Sequence, residues 1–323
     1  MDFIVLITKA LPEEGLVELK KHCKVYVYDK TLSISQDELL DFAPSLDAVI
    51  AVGTKINEEF INKAKRLKII SNYGVGYDNI DVKAATKRGV FVTNLPYSVT
   101  ESTAELTMSI LLALTRKIVL ADNYIRSNNE TEWNPLLFMG NDLYGKKLGI
   151  IGFGRIGKAV AKRAYCFGMQ LFYYDVKKID SNKLGINISY LPFRKILAEM
   201  DYITLHVPYF EKTDHLIDEK ALKIMKESAY LINTSRGPVI DEKALIKALK
   251  SNLIADAALD VFENGLKVPS ELCSLSNVVL TPHIGTSTVE TRTKMALNAS
   301  EKVIQVMNGQ KPENTVNENE FYI

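Results

Sequence analysis

The chain is poor in the features that mark specialised protein classes. Its 40 Lys and Arg residues stand against 39 Asp and Glu, a net charge of +1, so it lacks the basic face expected of a nucleic-acid binder. No apolar stretch approaches the roughly 18 residues that span a bilayer. The N-terminus, MDFIVLITKALPEE, has neither the basic region nor the small-residue cleavage site of a signal peptide. Three cysteines, Cys23, Cys166 and Cys273, lie far apart with no CxxC pair. That pattern suits neither a disulfide framework nor a zinc site, and it predicts a cytoplasmic protein without a bound metal. What remains is an ordinary globular composition, 47% hydrophobic and 24% charged over 323 residues, long enough for two domains at roughly 150 residues each.

Short apolar strands alternate with helical patterns almost from end to end, which predicts parallel α/β sheets. Strand candidates are Phe3–Thr8, Lys24–Tyr28, Ala48–Val52, Lys68–Asn72 and Val90–Thr93 in the first hundred residues. A second series comprises Lys147–Gly152, Gln170–Asp175, Tyr202–His206, Tyr230–Asn233, Ala257–Val261 and Val278–Thr281. Thr100–Leu120 reads as one long apolar helix, too apolar for a solvated surface. A last helix follows Pro282, at about Glu290–Met307. The economical architecture is two doubly wound domains. Residues 100–285 are inserted into a domain built from 1–99 and 286–323, to which the last helix returns.

The strongest local signal is Gly152-Phe153-Gly154-Arg155-Ile156-Gly157, placed between an apolar strand and a helix. Gly152 permits a tight turn, Gly154 lets a pyrophosphate approach the backbone, and Gly157 allows close helix–strand packing. The helix N-terminus offers free N–H groups to phosphates. Asp175 ends the next strand, 18 residues after Gly157, where a carboxylate accepts from ribose hydroxyls. NAD is the cofactor this predicts, against a plain βαβ turn with a chance aspartate. Asp175 also opposes a 2′-phosphate, so NAD is expected over NADP. Arg236 follows the apolar strand Tyr230–Asn233. It is equally well read as a carboxylate clamp, through its rigid fork of donors, or as a surface residue at a strand end. Of four histidines, His22 lies on a polar helix, His206 ends a strand near the expected cofactor, and His215 sits in a charged loop. His283, between Pro282 and Gly285 at a strand end, is the best placed for proton transfer near neutral pH.

Together with Gly74-Val75-Gly76-Tyr77-Asp78-Asn79-Ile80-Asp81, Ala104-Glu105-Leu106-Thr107 and Leu259-Asp260-Val261-Phe262-Glu263, these motifs resemble the D-isomer-specific 2-hydroxyacid dehydrogenases over nearly the whole chain. The resemblance implies a Rossmann domain inserted into a flavodoxin-like substrate domain. It implies hydride transfer between NAD(H) and a small 2-oxo acid or (R)-2-hydroxy acid, and a homodimer, to which the apolar Thr100–Leu120 helix is expected to contribute. By the same resemblance Arg236 binds the substrate carboxylate and polarises its carbonyl, while His283 exchanges the proton. Backbone N–H groups of Val75 and Gly76 help hold the carboxylate. Arg155 and Ile156 meet the pyrophosphate, Val207, Pro208 and Thr213 line the cofactor, and Thr234 and Asp260 orient the nicotinamide end.

One departure falls in the catalytic set. The family pattern Asp-Val-Phe-Glu-x-Glu-Pro reads here Asp260-Val261-Phe262-Glu263-Asn264-Gly265-Leu266. The second glutamate, partner of the catalytic histidine in the family, is thus replaced by Gly265. An active but impaired or pH-shifted enzyme follows, unless Glu263 or Glu271 takes over through a shifted loop. The rival reading is a non-catalytic NAD(H)-responsive binding protein on the same fold; a dehydrogenase of another anion, such as formate or phosphite, is a third.

Overall fold

The computed structural model describes residues 2–30, 33–128, 132–179 and 184–317. The chain divides into two compact units, 1–99 with 286–323, and 100–285.

In the first unit five parallel strands, β1 (Ile4–Ile7), β2 (Lys24–Val27), β3 (Ala48–Ala51), β4 (Ile69–Asn72) and β5 (Phe91–Thr93), lie in the order β2-β1-β3-β4-β5. Every residue of β3 and β4 is buried, as expected of strands covered by helices on both faces. Leu6, Val49, Ile70 and Val92 pack with Phe60 and Ile61 of the Glu58–Lys63 helix. The opposite face is closed by the Val289–Met307 helix, which buries Ala296, Ala299 and Val303. Ser71 Oγ donates to the Ala299 carbonyl at 3.1 Å, and Ser300 Oγ to that of Gly15 at 3.0 Å. A Cβ on Gly15 would lie 2.3 Å from Ala296 Cβ, so glycine is required for this approach. Beyond the helix the chain returns to β5, where Asn317 Oδ1 accepts from Val92 N at 3.1 Å.

The second unit holds seven parallel strands: β6 (Lys147–Ile151), β7 (Gln170–Tyr174), β8 (Ile188–Tyr190), β9 (Tyr202–Leu205), β10 (Tyr230–Asn233), β11 (Asp256–Leu259) and β12 (Val278–Leu280). Their order is β12-β11-β10-β9-β6-β7-β8. The sequence reading missed β8, a three-residue edge strand too short to show a period. One sheet face packs Ile203, Leu205, Leu231 and Leu259 against the helices that follow β8 to β11. The other packs Ile150, Ile232 and Ala258 against the helices Thr100–Thr115 and Arg155–Cys166. Among the described residues no helix is long and apolar enough to cross a membrane, and no cluster of three or more His, Cys, Asp or Glu side chains could hold a metal ion.

The single helix expected over Thr100–Leu120 is two. The first ends at Thr115, Lys117 takes left-handed backbone (φ 55°), and a second runs Ile118–Ser127. Lys117 Nζ meets both carboxylate oxygens of Asp256, at 3.0 and 2.8 Å, and the Asp256 side chain is only 6% exposed. That cation satisfies a carboxylate buried at the start of β11. The apolar residues of the first helix, including Ala104, Met108 and Leu111, are covered by their own unit. Ile118, Val119 and Ile125 of the second are exposed.

Lys117→Met leaves Asp256 buried without its cation. It is expected to lower the stability of this unit by about 3 kcal/mol, the low end for breaking a buried pair because Lys117 is partly solvated. A lowered urea midpoint checks this, with partial recovery when Asp256→Asn is added; an unchanged midpoint would show the pair to be idle.

Candidate active site

The chain runs outward from β6 through β7 to β8, then returns to β9 and continues the other way through β10 to β12. The carboxyl ends of β6 and β9 therefore flank the switch point, where doubly wound sheets bind ligands. The three glycines of the turn after β6 differ in their surroundings. Gly152 has φ 91°, and a Cβ there would lie 2.6 Å from the His206 carbonyl carbon. A Cβ on Gly157 would lie 2.3 Å from the Gly152 oxygen. One on Gly154 would meet nothing within 4 Å. Turn and packing thus fix two glycines, and the third leaves an open backbone face.

Gly154 is the N-cap of the Arg155–Cys166 helix, which has no side-chain cap and no acidic residue in its first turn. The Gln36–Phe42, Glu219–Ile224 and Glu242–Lys250 helices are capped by Ser35, Asp218 and Asp241. An uncapped N-terminus over an open glycine, with Arg155 and Ile156 in its first turn, suits a pyrophosphate. Asp175, just beyond β7, accepts from Phe153 N at 2.7 Å and Lys177 N at 3.2 Å. Those bonds hold its carboxylate beside the glycine turn, with lone pairs remaining for ribose hydroxyls. These residues fit a dinucleotide.

Past β9, Val207 is half-buried and Pro208 exposed. Thr213 Oγ1 donates to the Pro208 carbonyl at 2.7 Å and accepts from Phe210 N at 3.0 Å, so this hydroxyl shapes its own loop. At the end of β10, Thr234 is buried and its hydroxyl lies 2.8 Å from that of Thr107. Arg236 sits two residues further on, and sequence reasoning missed the residue that places it. Asn233, fully buried, accepts from Ser235 N and Oγ (2.9 and 2.8 Å) and donates to the Arg236 carbonyl at 2.9 Å. Gly237 then rests directly on the loop after β11, where any Cβ would lie 1.9 Å from the Phe262 oxygen.

His283 has φ 56°, and its loop is bound to Asp260. Asp260 is 1% exposed, and its carboxylate accepts from Thr281 Oγ1 (2.7 Å), Ile284 N (2.8 Å) and Gly285 N (2.9 Å). The Asp260 carbonyl accepts from His283 N at 2.9 Å. The carboxylate expected to orient the nicotinamide end is thus also the anchor of the histidine loop.

Neither expected substitute for the missing glutamate turns to His283. Glu263 lies 3.2 Å from His215 Nε2 and accepts from Glu242 N at 3.3 Å. Glu242 is 6% exposed, and burial, reinforced by the charge of Glu263, raises its carboxyl above the ordinary range. Glu271 pairs with Lys250. Gly265 has φ 64° in a turn whose N–H donates to the Phe262 carbonyl. In the other unit, Val75 and Gly76 follow β4. Asn94 Nδ2 donates to the Val75 carbonyl at 2.8 Å and Asn72 Nδ2 to that of Gly76 at 2.9 Å.

Residues 108–285 match the family described as D-isomer specific 2-hydroxyacid dehydrogenase, NAD binding domain. The chain is 46% identical over 318 residues to the glyoxylate reductase of Thermococcus litoralis, covering 97% of this chain and 96% of that one. A solved structure from Thermus thermophilus superposes with a TM-score of 0.91 at 37% identity, covering 97% of this chain and 100% of the other. D-lactate dehydrogenase from Aquifex aeolicus, solved with NAD and lactic acid, has a TM-score of 0.83 at 29% identity, covering 95% and 96%.

Asp260→Asn replaces a pure acceptor with an amide that can direct N–H groups at its donors. It is expected to loosen residues 281–285 and to lower kcat by at least tenfold, because small misplacement of a reacting group is costly. Faster hydrogen exchange at the Ile284 and Gly285 amides checks the cause; unchanged exchange and kcat would remove Asp260 as the anchor.

Proposed function

The chain belongs to the D-isomer-specific 2-hydroxyacid dehydrogenases, and from that premise we propose that it reduces glyoxylate or a similarly small 2-oxo acid with NADH. The observation that carries this reading is the shared carboxyl edge. The glycine turn, Asp175, the Arg236 loop and the His283 loop all leave the same ends of one parallel sheet. Kinship with reductases along nearly the full length favours an enzyme over a non-catalytic NAD(H)-binding protein. It also favours a 2-oxo acid over formate or phosphite.

The Arg236 guanidinium holds the substrate carboxylate by its two-pronged geometry and polarises the adjacent carbonyl. His283 gives a proton to the carbonyl oxygen as it is reduced, and takes it back in oxidation. The nicotinamide supplies the hydride when bound. Asp175 favours NAD over NADP, since a 2′-phosphate beside its carboxylate meets repulsion of about 4 kcal/mol for unit charges at ~4 Å in an effective dielectric near 20. Gly265 stands at the family's glutamate, and neither Glu263 nor Glu271 replaces it. With φ 64° and no atom within 4 Å of a built Cβ, that position has room for a side chain but a backbone that disfavours one.

A cytoplasmic homodimer completes the proposal. Cys166 and Cys273 are exposed free thiols, which suits a reducing compartment. Support for the dimer comes from the Ile118–Ser127 helix and the segment after it. There Ile118, Ile125, Trp133 (87% exposed), Leu136 and Met139 face outward, an apolar display that marks an interface.

With wild-type protein, NADH oxidation is expected with glyoxylate at a higher kcat/KM than with longer 2-oxo acids, and at a lower kcat/KM with NADPH. Arg236→Lys is expected to lose at least a hundredfold in kcat/KM while binding NADH normally; near-full activity in that variant would remove Arg236 as the clamp. Light scattering is expected to give about twice the 36.2 kDa chain mass, and Trp133→Asp with Leu136→Asp to return it to one chain. A wild-type mass of one chain would end the dimer reading.

A further inference from the structure

Three ionisable side chains outside the reaction described above, His215, Glu242 and Glu263, form a cluster with Glu263 as its hub. One Glu263 carboxylate oxygen lies 3.2 Å from His215 Nε2, and the other accepts from Glu242 N at 3.3 Å. In return, Glu263 N donates to the Glu242 carboxyl at 3.3 Å. Bringing two acidic side chains this near disfavours ionising both. The Glu242 carboxyl is raised by burial and by the charge of Glu263. His215 adds a second cost, left-handed backbone at φ 47°, which disfavours side-chain-bearing residues. Such costs persist only where the surroundings over-determine them, and together they call for a reason.

The reason lies in what the cluster touches. Arg236 runs directly into the turn Gly237–Val239. A Cβ on Gly237 would lie 1.9 Å from the Phe262 oxygen and 2.5 Å from Glu263 N, so the Phe262–Glu263 peptide is the floor on which that turn sits. From another side, His215 N donates to the Pro238 carbonyl at 2.8 Å, and Ile217 N to that of Val239 at 3.0 Å. The contact between Glu263 and His215 closes a ring around the turn. The exchange between Glu263 and Glu242 ties that ring to the helix that leaves the turn, Glu242–Lys250. Arg236 Nη1 donates to the Ser235 carbonyl at 3.0 Å, so the guanidinium moves with its loop.

We propose that Glu263 is a positioning residue for Arg236, acting through His215 and Glu242 and touching neither substrate nor His283. The role rests on the reading of Arg236 as the carboxylate clamp. A two-pronged guanidinium receives a carboxylate well only from one placement, and Glu263 fixes that placement by holding the loops after β9, β10 and β11 to one another. Its hydrogen bonds do this work. Glutamine therefore substitutes for it: the amide oxygen accepts from Glu242 N, and the amide N–H donates to a neutral His215.

Steady-state kinetics with glyoxylate, binding of the unreactive 2-oxo acid analogue oxamate in the presence of NADH, and binding of NADH alone test this. Glu263→Ala is expected to lower kcat/KM and to weaken oxamate by about tenfold each, the scale of a small misplacement. NADH affinity and the shape of the pH–rate profile are expected to hold. Glu263→Gln is expected to return kcat/KM and oxamate affinity to within about threefold of wild type. With Arg236→Lys already in place, adding Glu263→Ala is expected to cost less than about twofold more, because residues that act through one another are not additive. A full further loss in that background overturns the proposal. So do wild-type kinetics in Glu263→Ala, a glutamine variant as poor as alanine, or a shifted pH–rate limb, which would set Glu263 to work on His283. Should Glu263→Ala not fold, His215→Ala, whose side chain is 39% exposed, carries the same comparison. A loss of about threefold on wild type and none on Arg236→Lys supports the role, and equal losses on both overturn it. Near-full activity in Arg236→Lys alone overturns the clamp reading instead.

Discussion

The Asp260 carboxylate is the interaction on which the candidate site depends. It is 1% exposed, where an ionised group without partners is untenable. All three of its donors come from residues 281–285. The loops after β11 and β12 therefore fold as one piece around a single carboxylate. His283 lies inside that piece with left-handed backbone, φ 56°, a conformation that disfavours side-chain-bearing residues by about 1–2 kcal/mol. Such strain persists where surrounding bonds over-determine it, and here they hold residues 281, 283, 284 and 285 at once.

The same logic continues across the edge of the sheet. Asn233 gathers Ser235 and Arg236, Gly237 lies against the Phe262 peptide, and Glu263 meets both His215 and the N-terminus of the Glu242–Lys250 helix. Loops after β9, β10 and β11 are thus joined to one another, not merely placed side by side. The arginine and histidine loops owe their positions to a buried aspartate, a buried asparagine and a glycine that no larger residue can replace.

Much of this was legible because it follows from local rules. The glycine turn, its helix and Asp175 are neighbours in sequence, and Gly152 and Gly157 each answer to a separate steric demand. The alternation of strands and helices gave the parallel sheets, and the last helix packs on the first unit. Other features depend on residues distant in sequence. The expected Thr100–Leu120 helix breaks at Lys117, whose ammonium meets the buried Asp256, 139 positions away. Glu263, inside the tight turn between Phe262 and Gly265, meets His215, a contact 48 positions away that sequence spacing does not show. Asn233 carried no motif signal, since its importance lies in burial, which a strand-end asparagine does not advertise. The apolar residues read as dimer-forming are mostly internal, and the exposed ones fall further along, on the Ile118–Ser127 helix and around Trp133.

On the proposed function, one sheet edge binds a nicotinamide dinucleotide and directs its hydride to one face of a 2-oxo acid held by Arg236 beside His283. Reduction of pyruvate with NADH deuterated at the transferable C4 position tests this directly, followed by chiral separation and mass analysis of the lactate. (R)-lactate carrying one deuterium at C2 is expected. (S)-lactate, a racemic product, or lactate without the label would contradict it.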